Sequence, residues 1–243
     1  MKLIQLNIWG GKLQYQIPAF LNKEQPDIVC MQEVNDLPGP SGALFVTLDE
    51  LKEAGNFQHC FMSPTYSSKY MNRTTRYGNA ILSRLPFLKT ETVFTYGQYK
   101  DSFDLTTDDF NVRNFQHAQI EYRGQIINVL NHHGYLVRES KLGNHETAHQ
   151  MQLIAAALNS LTGPIILAGD FNLSPHSESI GLLNKQLRNL SAEYNLNSTY
   201  TSFNKHIEVC DYIFVSDSIK VKAFHASDEV VSDHKALVLE FDI

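Results

Sequence analysis

The sequence predicts an α/β fold in which strands outnumber helices, and three observations support this prediction. Short apolar runs recur along the chain and end at glycine, proline or asparagine, a pattern typical of buried strands. Longer segments at residues 12–23, 44–54, 144–161 and 177–185 predict helices flanking those strands. Because no internal repeat, low-complexity tract or linker divides the chain, residues 1–243 are predicted to form one domain.

Composition limits the class of protein further. The chain has 243 residues, 43% of them hydrophobic, which is ample for a sizeable core. Its formal net charge of -6 argues against holding nucleic acid by bulk electrostatics, although local basic residues can still line a cleft. Cys30, Cys60 and Cys210 are too few and too scattered for a disulfide framework or a zinc cluster. Cys30 and Cys210 lie in apolar runs and are predicted to be buried free thiols.

The location of the protein is predicted from its first residues and from the length of its apolar runs. The first residues have the pattern of a strand rather than of a signal peptide, and no apolar run is long enough to span a bilayer. We therefore expect a cytoplasmic protein that does not insert into a membrane, and we expect it to be a monomer.

The first half of the chain is predicted to alternate strands and helices. Its strands are predicted at residues 2–9, 27–31, 57–62 and 77–84, with a loop at 35–42. Residues 63–75 are polar and are predicted to be irregular. Lys69 and Arg73 lie in this segment and Arg76 directly follows it, and these three cations would suit a phosphate-bearing substrate if they lay beside a carboxylate-rich site. A solvated loop is the alternative for these three cations.

The second half of the chain contains the longest predicted helix. Its strands are predicted at residues 111–122, 125–130, 164–168, 199–203, 208–215, 219–225 and 237–241. His145 and His149 are four residues apart on the helix 144–161, a spacing that can bind a metal ion. Because no third ligand is nearby in the sequence, we predict that both histidines are surface residues.

Polar side chains recur where the predicted strands end. These residues are Asn7, Glu33, His133, the pair Asp170 and Asn172, and the pair Asp233 and His234. Asp170 and Asn172 are two residues apart, so on extended backbone their side chains would point the same way. The alternative is that they cap a turn, as Asn7 also could, and that Glu33 is merely solvated. Asp211 interrupts an apolar run, and a buried aspartate needs a partner, usually histidine or arginine.

Such a set of strand ends predicts a single cleft with hard oxygen ligands and histidines. The cysteines do not fall in a ligand pattern. Carboxylate and amide oxygens favour Mg²⁺ or Mn²⁺ over zinc. Magnesium beside carboxylates and histidines points to the chemistry of phosphate esters.

Seven motifs, in order, carry a resemblance to a known family. They are LNIWGG, QEV, YGNAILSR, NHHG, GDFN, CDYIF and SDH, and they extend over essentially the whole chain. This series resembles the endonuclease/exonuclease/phosphatase family of metal-dependent phosphoesterases. The resemblance implies a DNase I-like fold, a four-layer α-β-β-α sandwich of two mixed β-sheets. Asn79, within YGNAILSR, and Arg113 are further candidates for the site.

The resemblance also implies an activity. The expected enzyme is a Mg²⁺- or Mn²⁺-dependent hydrolase of phosphodiester bonds, in nucleic acid or a small phosphodiester, that acts by in-line attack of an activated water. Two alternatives stay open. One is a phosphomonoesterase acting on an inositol, lipid or sugar phosphate, and the other is a binding module without catalysis on the same fold.

Roles for the oxygen-bearing residues follow from the resemblance. Glu33 is implied as the principal metal ligand, with Asn7 beside it and Asp233 completing the metal environment. Asp170 is expected to orient or deprotonate the attacking water. Asn172 is expected to hold that water or a phosphate oxygen.

The resemblance assigns the histidines as well. His234 is expected to donate to the phosphoryl oxygens, and Asp211 to keep His234 protonated and oriented. His133 matches the second catalytic histidine of several branches, while His132 takes the variable position of that motif. In the DNase-like branch a glutamate supports this histidine, whereas the corresponding region here, residues 74–75, holds threonines.

Overall fold

The computed structural model describes residues 1–39, 44–205 and 207–243. Its strands are β1 Lys2–Asn7, β2 Ile28–Asp36, β3 His59–Tyr70, β4 Arg73–Ser83, β5 Phe87–Tyr96, β6 Arg113–Tyr122, β7 Gln125–His133, β8 Ile165–Asp170, β9 Arg188–Asn189, β10 Asp211–Val215, β11 Lys220–Ala226 and β12 Leu237–Asp242. Its α-helices are α1 Gln16–Glu24, α2 Leu48–Gly55, α3 His145–Asn159, α4 Glu178–Asn184 and α5 Leu190–Glu193. A 3₁₀ turn at Trp9–Gly11 follows β1.

The strands form two mixed sheets. In the first sheet the order is β11-β12-β1-β2-β4-β3, and in the second it is β5-β6-β7-β8-β10-β9. Each sheet contains one parallel pair near its centre, β1 with β2 and β7 with β8. Parallel strands end at the same edge of their sheet. The C-terminal ends of β1 and β2 therefore lie at one edge of the first sheet, and those of β7 and β8 lie at one edge of the second.

Three apolar clusters hold four layers in place. One lies between the sheets and joins side chains such as Leu3 and Ile28 of the first sheet to Val129 and Ile166 of the second. The other two pack helices α1 and α2 on the outside of the first sheet, and α3 and α4 on the outside of the second. The result is the four-layer α-β-β-α sandwich that the family resemblance implied.

Toward one edge of the sandwich, the filling between the sheets changes from apolar side chains to amides. We call the four side chains Gln5, Gln32, Asn131 and Gln116 the amide row. Gln5 Nε2 donates to Gln32 Oε1 at 3.0 Å, Gln32 Nε2 donates to Asn131 Oδ1 at 2.6 Å, and Asn131 Nδ2 donates to Gln116 Oε1 at 2.9 Å. All four side chains are fully buried, so these bonds replace water that the amides lose on folding, although Gln5 Oε1 has no hydrogen-bond partner among the described residues. The row crosses between the sheets, because Gln5 and Gln32 belong to the first sheet and the other two to the second.

Two predicted segments differ from the structure. Residues 63–75, predicted to be irregular, continue strand β3 and begin β4, which meet at a turn where Met71 and Asn72 have φ of 46° and 64°. The prediction was wrong because Ser63, Thr65, Ser67 and Ser68 are buried in the hairpin despite their polarity. Residues 199–203 do not form a strand; the backbone of Tyr200 forms an isolated β-bridge with that of His234.

Other predictions about individual elements are confirmed. The four predicted helices exist, and β6 and β7 are joined at Arg123 and Gly124 as expected. Cys30 and Cys210 are buried free thiols, and His145 and His149 are exposed. The predicted loop 35–42 lies partly outside the described residues, and its first two residues belong to β2. Within the part of the chain that the structure describes, no helix has the length and apolar character needed to cross a membrane.

Candidate active site

A cleft of about 1250 Å³ opens at the edge of the sandwich where β1, β7 and β8 end. Seven of the eight residues predicted for the site line it: Asn7, Glu33, His133, Asp170, Asn172, Asp233 and His234. The eighth, Asp211, is fully buried and is hydrogen-bonded to His234. The structure therefore brings the whole predicted set together.

Both sheets contribute to the cleft, and hydrogen bonds join the two contributions. Asn7 ends β1 of the first sheet, and its Nδ2 donates to Asp170 Oδ2, at the end of β8 in the second sheet, at 3.1 Å. Gln5 Nε2, two residues earlier on β1, donates to Asp211 Oδ1 at 3.0 Å. Asp211 begins β10 and lies opposite Asp170 in the strand register. The site therefore depends on how the two sheets are aligned.

Asn7 has a hydrogen-bonding role that the sequence did not predict. Its Nδ2 also donates to Glu33 Oε1 at 3.1 Å, so a single amide nitrogen lies between two carboxylates. Its Oδ1 accepts from the backbone N–H of Trp9 at 3.0 Å. Asn7 therefore presents a donor to Glu33 and Asp170, and its assignment as a metal ligand stays a prediction.

Glu33 lies inside a strand rather than at its end. Strand β2 continues to Asp36, and its register with β4 shifts between Met31 and Val34. Glu33 has a φ of 61°, which marks a bulge that turns its side chain into the cleft. Burial raises the pKa of the Glu33 carboxyl, although the hydrogen bond from Asn7 opposes this effect.

Asp170 and Asn172 do not share extended backbone, so the reason given for their common direction was wrong. Asn172 has a φ of 55°, and its backbone N–H donates to Asp170 Oδ1 at 2.9 Å in an Asx-type turn. Its side chain donates from Nδ2 to the carbonyl of Gly134 at 3.3 Å and accepts from Lys141 Nζ at 2.7 Å. Asn172 therefore holds the side chains of Asp170 and Lys141 in position, and it also lines the cleft.

Asp211 and His234 form a buried ion pair beneath the cleft. His234 Nδ1 donates to Asp211 Oδ2 at 2.8 Å, and His234 Nε2 faces Asp170 Oδ2 at 3.8 Å. Burial alone would lower the pKa of His234, but the charges of Asp211 and Asp170 outweigh it and raise that pKa well above its usual range. His234 is therefore protonated at neutral pH.

Asp170 is ionised although it is buried. Burial would raise its pKa, yet the positive charge of His234, with that of Lys141 and the hydrogen bond from Asn7, outweighs burial and holds the pKa below its usual range. The carboxylate is therefore fully charged at neutral pH, although it is only 1% exposed. A buried anion of this kind needs the cations and donors that surround it.

The two neighbouring histidines of NHHG have different surroundings. His133 faces the cleft, with Nε2 at 3.8 Å from Asp170 Oδ2, while His132 packs its ring against Phe171 at a centroid distance of 5.1 Å. Burial, followed by the charge of Arg113, lowers the pKa of His133 well below its usual range and that of His132 to about 3. Both rings are therefore neutral. Neither nitrogen of His132 has a hydrogen-bond partner among the described residues.

The carboxylates of the cleft fit a divalent cation. Glu33 and Asp170 approach the same nitrogen of Asn7, and Asp233 lines the same cleft. Burial raises the pKa values of Glu33 and Asp233, and the charge of Asp170 raises them further. Glu33 and Asp233, whose charged forms are destabilised in this way, are together with Asp170 a donor set suited to Mg²⁺ or Mn²⁺.

A second cluster of possible ligand atoms lies behind the first. Single atoms of Asp170, Cys210, Asp211 and His234 lie within 4.8 Å of one another. Cys210 Sγ donates to Asp211 Oδ2 at 3.3 Å, and that same oxygen accepts from His234. Because these groups already satisfy one another and Cys210 and Asp211 are completely buried, the open carboxylates of the cleft are the better candidates for a metal site.

The cations of the cleft are not those proposed from the loop 63–75. Lys69 donates to Thr74, Arg73 donates to the carbonyl of Leu37, and Arg76 pairs with Asp36. The cations that line the cleft are Lys12, Arg113, Arg138 and Lys141. Arg113, a candidate from the sequence, donates from Nε to the carbonyl of Gly134 at 2.7 Å. Asn79, the other candidate, is buried and donates to Asn114.

Lys141 and Gln5 are the residues that sequence reasoning missed. Lys141 lies in an irregular segment without periodicity, so no local pattern identifies it. Gln5 had a detectable signal, because it is a polar residue on the same face of β1 as the buried Leu3 and the site residue Asn7. Its hydrogen bond to Asp211 explains a glutamine at that position.

Comparisons with known proteins agree with this geometry. The model of the Endonuclease/Exonuclease/phosphatase family matches residues 4–234. An endonuclease/exonuclease/phosphatase structure from Beutenbergia cavernae is 20% identical with a TM-score of 0.74, covering 99% of this chain and 71% of that one. D. rerio TDP2 complexed with a single strand DNA product is 19% identical with a TM-score of 0.69, covering 100% and 99%.

A further structure of similar fold is the mannosyl-6-phosphatase Bt3783 of Bacteroides thetaiotaomicron. It is 16% identical with a TM-score of 0.71, and the match covers 100% of both chains. No curated protein matches the sequence. At these identities the likeness to the solved structures shows the fold.

Proposed function

The chain belongs to the endonuclease/exonuclease/phosphatase family, and we therefore propose that it is a Mg²⁺- or Mn²⁺-dependent hydrolase of phosphodiester bonds. The observation that carries the proposal is the pair formed by Asp170 and His234. An ionised carboxylate and a protonated imidazole face each other at 3.8 Å, in a cleft that also holds Glu33 and Asp233. An acceptor for a water proton and a donor for a phosphoryl oxygen are thus present in one place.

The residues of the cleft have different roles in the proposed hydrolysis. A divalent cation held by Glu33 and Asp233 would supply positive charge to the phosphoryl oxygens. Asp170 accepts a hydrogen bond from the attacking water and orients it; because its pKa is held below its usual range, it is too weak a base to remove the proton early. His234, fixed by Asp211, donates to the phosphoryl oxygens as negative charge builds on them.

A phosphomonoesterase is the second candidate. Three cations, Lys12, Arg138 and Lys141, line the same cleft and suit the additional charge of a monoester. The mannosyl-6-phosphatase of similar fold supports this candidate, whereas the TDP2 complex with a DNA product supports the diesterase. A binding module without catalysis is the weakest candidate, because the three carboxylates expected for catalysis, Glu33, Asp170 and Asp233, are all present in the cleft.

Hydrolysis of bis-p-nitrophenyl phosphate compared with p-nitrophenyl phosphate tests the proposal. With Mg²⁺ or Mn²⁺ we expect kcat/KM for the diester to exceed that for the monoester, and EDTA to remove the activity. A preference for the monoester would replace the proposal with the second candidate. No turnover of either ester by folded protein would contradict the assignment of a hydrolase.

The adjacent histidines provide a matched pair of substitutions. We expect His133→Leu to lower kcat by roughly 10²-fold, because a neutral imidazole beside Asp170 is lost. His132→Leu should leave kcat within about twofold of the wild-type value, and it should raise the free energy of unfolding by up to about 1 kcal/mol because unpaired buried nitrogens are removed. Steady-state kinetics and urea denaturation of both variants measure the contrast. Equal loss of kcat in both would refute the assignment of His133.

A further inference from the structure

We propose that Trp9 and Phe203 form an aromatic lip that stacks on a nucleobase attached to the substrate phosphate. The inference rests on the proposed phosphoesterase function and narrows it to esters of nucleotides. It assigns a second recognition element to the cleft, separate from the carboxylates and histidines.

The two rings form a partly open surface at the margin of the cleft. Their centroids are 5.6 Å apart with planes inclined at 40°, and Trp9 lines the cleft. Phe203 is 55% exposed, so a large part of its ring remains uncovered. Apolar area left open beside a polar cleft is a favourable place for a planar substrate group, because covering it removes that area from water.

The lip is positioned by the same residue that bridges the carboxylates. The backbone N–H of Trp9 donates to Asn7 Oδ1 at 3.0 Å, and Asn7 Nδ2 donates to both Glu33 and Asp170. A phosphate bound through a divalent cation at those carboxylates would therefore enter the same cleft that Trp9 lines. Trp9 also has a φ of 53°, an uncommon conformation for a bulky residue, so its placement depends on the surrounding structure.

An exposed cation, Lys12, lies over the indole of the lip and also lines the cleft. Lys12 Nζ lies 3.9 Å from the centroid of the Trp9 ring, and Lys12 is exposed and lines the cleft. A cation over an aromatic face at an exposed site is held weakly. Lys12 can therefore turn to a phosphate that enters the cleft and leave the indole face to a base.

The chemistry of the lip favours a base over a sugar as the stacked group. The contacts that the structure shows for the two rings are with each other and with Lys12. Stacking needs only an aromatic face and accepts every base, and a base presents a flat π face to the rings whereas a sugar presents only C–H groups. With a net charge of -6 and few cations in the cleft, the protein suits a mononucleotide or a short single strand better than a long duplex.

The composition of the chain provides a direct probe of this lip. Trp9 is the one tryptophan in the sequence, so intrinsic tryptophan fluorescence reports on this position alone. Adenosine 5′-monophosphate, ribose 5-phosphate and mannose 6-phosphate are titrated into the protein with Mg²⁺ and again with EDTA, and a single-stranded hexanucleotide is titrated with EDTA only. We expect adenosine 5′-monophosphate to quench Trp9 and to bind roughly tenfold more tightly than ribose 5-phosphate.

Two variants separate stacking from other causes. Phe203→Leu should weaken the binding of adenosine 5′-monophosphate several-fold and leave that of ribose 5-phosphate unchanged. Tyr15→Leu, at an aromatic residue that is 78% exposed and does not line the cleft, should change neither. Equal affinity for the two phosphates, tighter binding of mannose 6-phosphate, or an unchanged nucleotide affinity in Phe203→Leu would overturn the proposal.

In EDTA binding is measured without turnover, so a failure of binding there differs from a failure of the proposed hydrolysis. A selective response to the nucleotide in a protein that hydrolyses neither nitrophenyl ester would keep the lip and reject the reaction. Hydrolysis of a nitrophenyl ester without selective binding of the nucleotide would keep the reaction and reject the lip. Tighter binding of the hexanucleotide than of the mononucleotide supports the lip and identifies a nucleic acid strand as the source of the base.

Discussion

Glu33→Gln is expected to lower kcat by roughly 10³-fold at saturating Mg²⁺. The substitution keeps the shape of the side chain and one oxygen, so Asn7 can still donate to it, but it removes the charge that would hold the cation. A metal supplies several kcal/mol to transition-state stabilisation, and each 1.4 kcal/mol corresponds to about tenfold in rate. A rate measured across a Mg²⁺ titration distinguishes weaker metal binding from slower chemistry.

Glu53→Gln is the matched control for this substitution. Glu53 is an exposed residue of helix α2 and does not line the cleft, so its removal should leave both kcat and the Mg²⁺ dependence unchanged. The free energy of unfolding of both variants should remain close to that of the wild type, since the carboxyl of Glu33 is neutralised rather than left unpaired. If Glu33→Gln retained more than about a tenth of the wild-type kcat, metal binding at this residue would be ruled out as a requirement for catalysis.

Asp211→Asn is expected to lower kcat by roughly 10²- to 10³-fold, a loss typical of a misplaced transition-state donor. Asp211 is fully buried, and its two oxygens accept from His234 Nδ1 and Gln5 Nε2. The amide removes the charge that keeps His234 protonated, and it can present an N–H toward the ring in place of an acceptor. KM for the diester should change much less than kcat, because the substitution lies beneath the cleft rather than in it.

The pH dependence of kcat provides an independent test of the same pair. In the wild type the raised pKa of His234 keeps the ring protonated through neutral pH, so activity should fall only as pH rises through that raised value. In Asp211→Asn, burial of the ring lowers its pKa while the largest opposing charge is absent, so the alkaline limb should move to lower pH. An unchanged alkaline limb in Asp211→Asn would show that His234 is not the group that donates to the phosphoryl oxygens.

Much of the fold and of the site was predictable from the sequence because both rely on short-range patterns. Apolar runs ending in polar residues identified the strands that carry Asn7, His133 and Asp170, and the order of the motifs indicated that they meet. The buried Asp211 was expected to have a partner, and His234 at 2.8 Å is that partner. These inferences needed only strand periodicity and the rule that buried charges are paired.

What could not be predicted depends on contacts between distant segments. The polar residues of the hairpin 63–75 suggested a loop, because burial of Ser63 and Ser67 is decided by tertiary packing. The backbone of Glu33 takes positive φ, which no propensity assigns to a glutamate, whereas the positive φ of Asn172 is of a kind that asparagine tolerates. Lys141 reaches Asn172 from a segment 31 residues earlier, and no local signal marks that approach.

The amide row has a mechanical consequence for the cleft. Half of the site is built on each sheet, so a slide of one sheet over the other would separate Asn7 from Asp170 and Gln5 from Asp211. An apolar interface resists such sliding weakly, because side chains can find new neighbours of similar quality. A shift of one residue, about 3.3 Å, would instead leave buried amides without hydrogen-bond partners, at a cost of about 1–3 kcal/mol each. The amide row therefore fixes the position of one sheet against the other. The alignment of the site residues on the two sheets follows from this position.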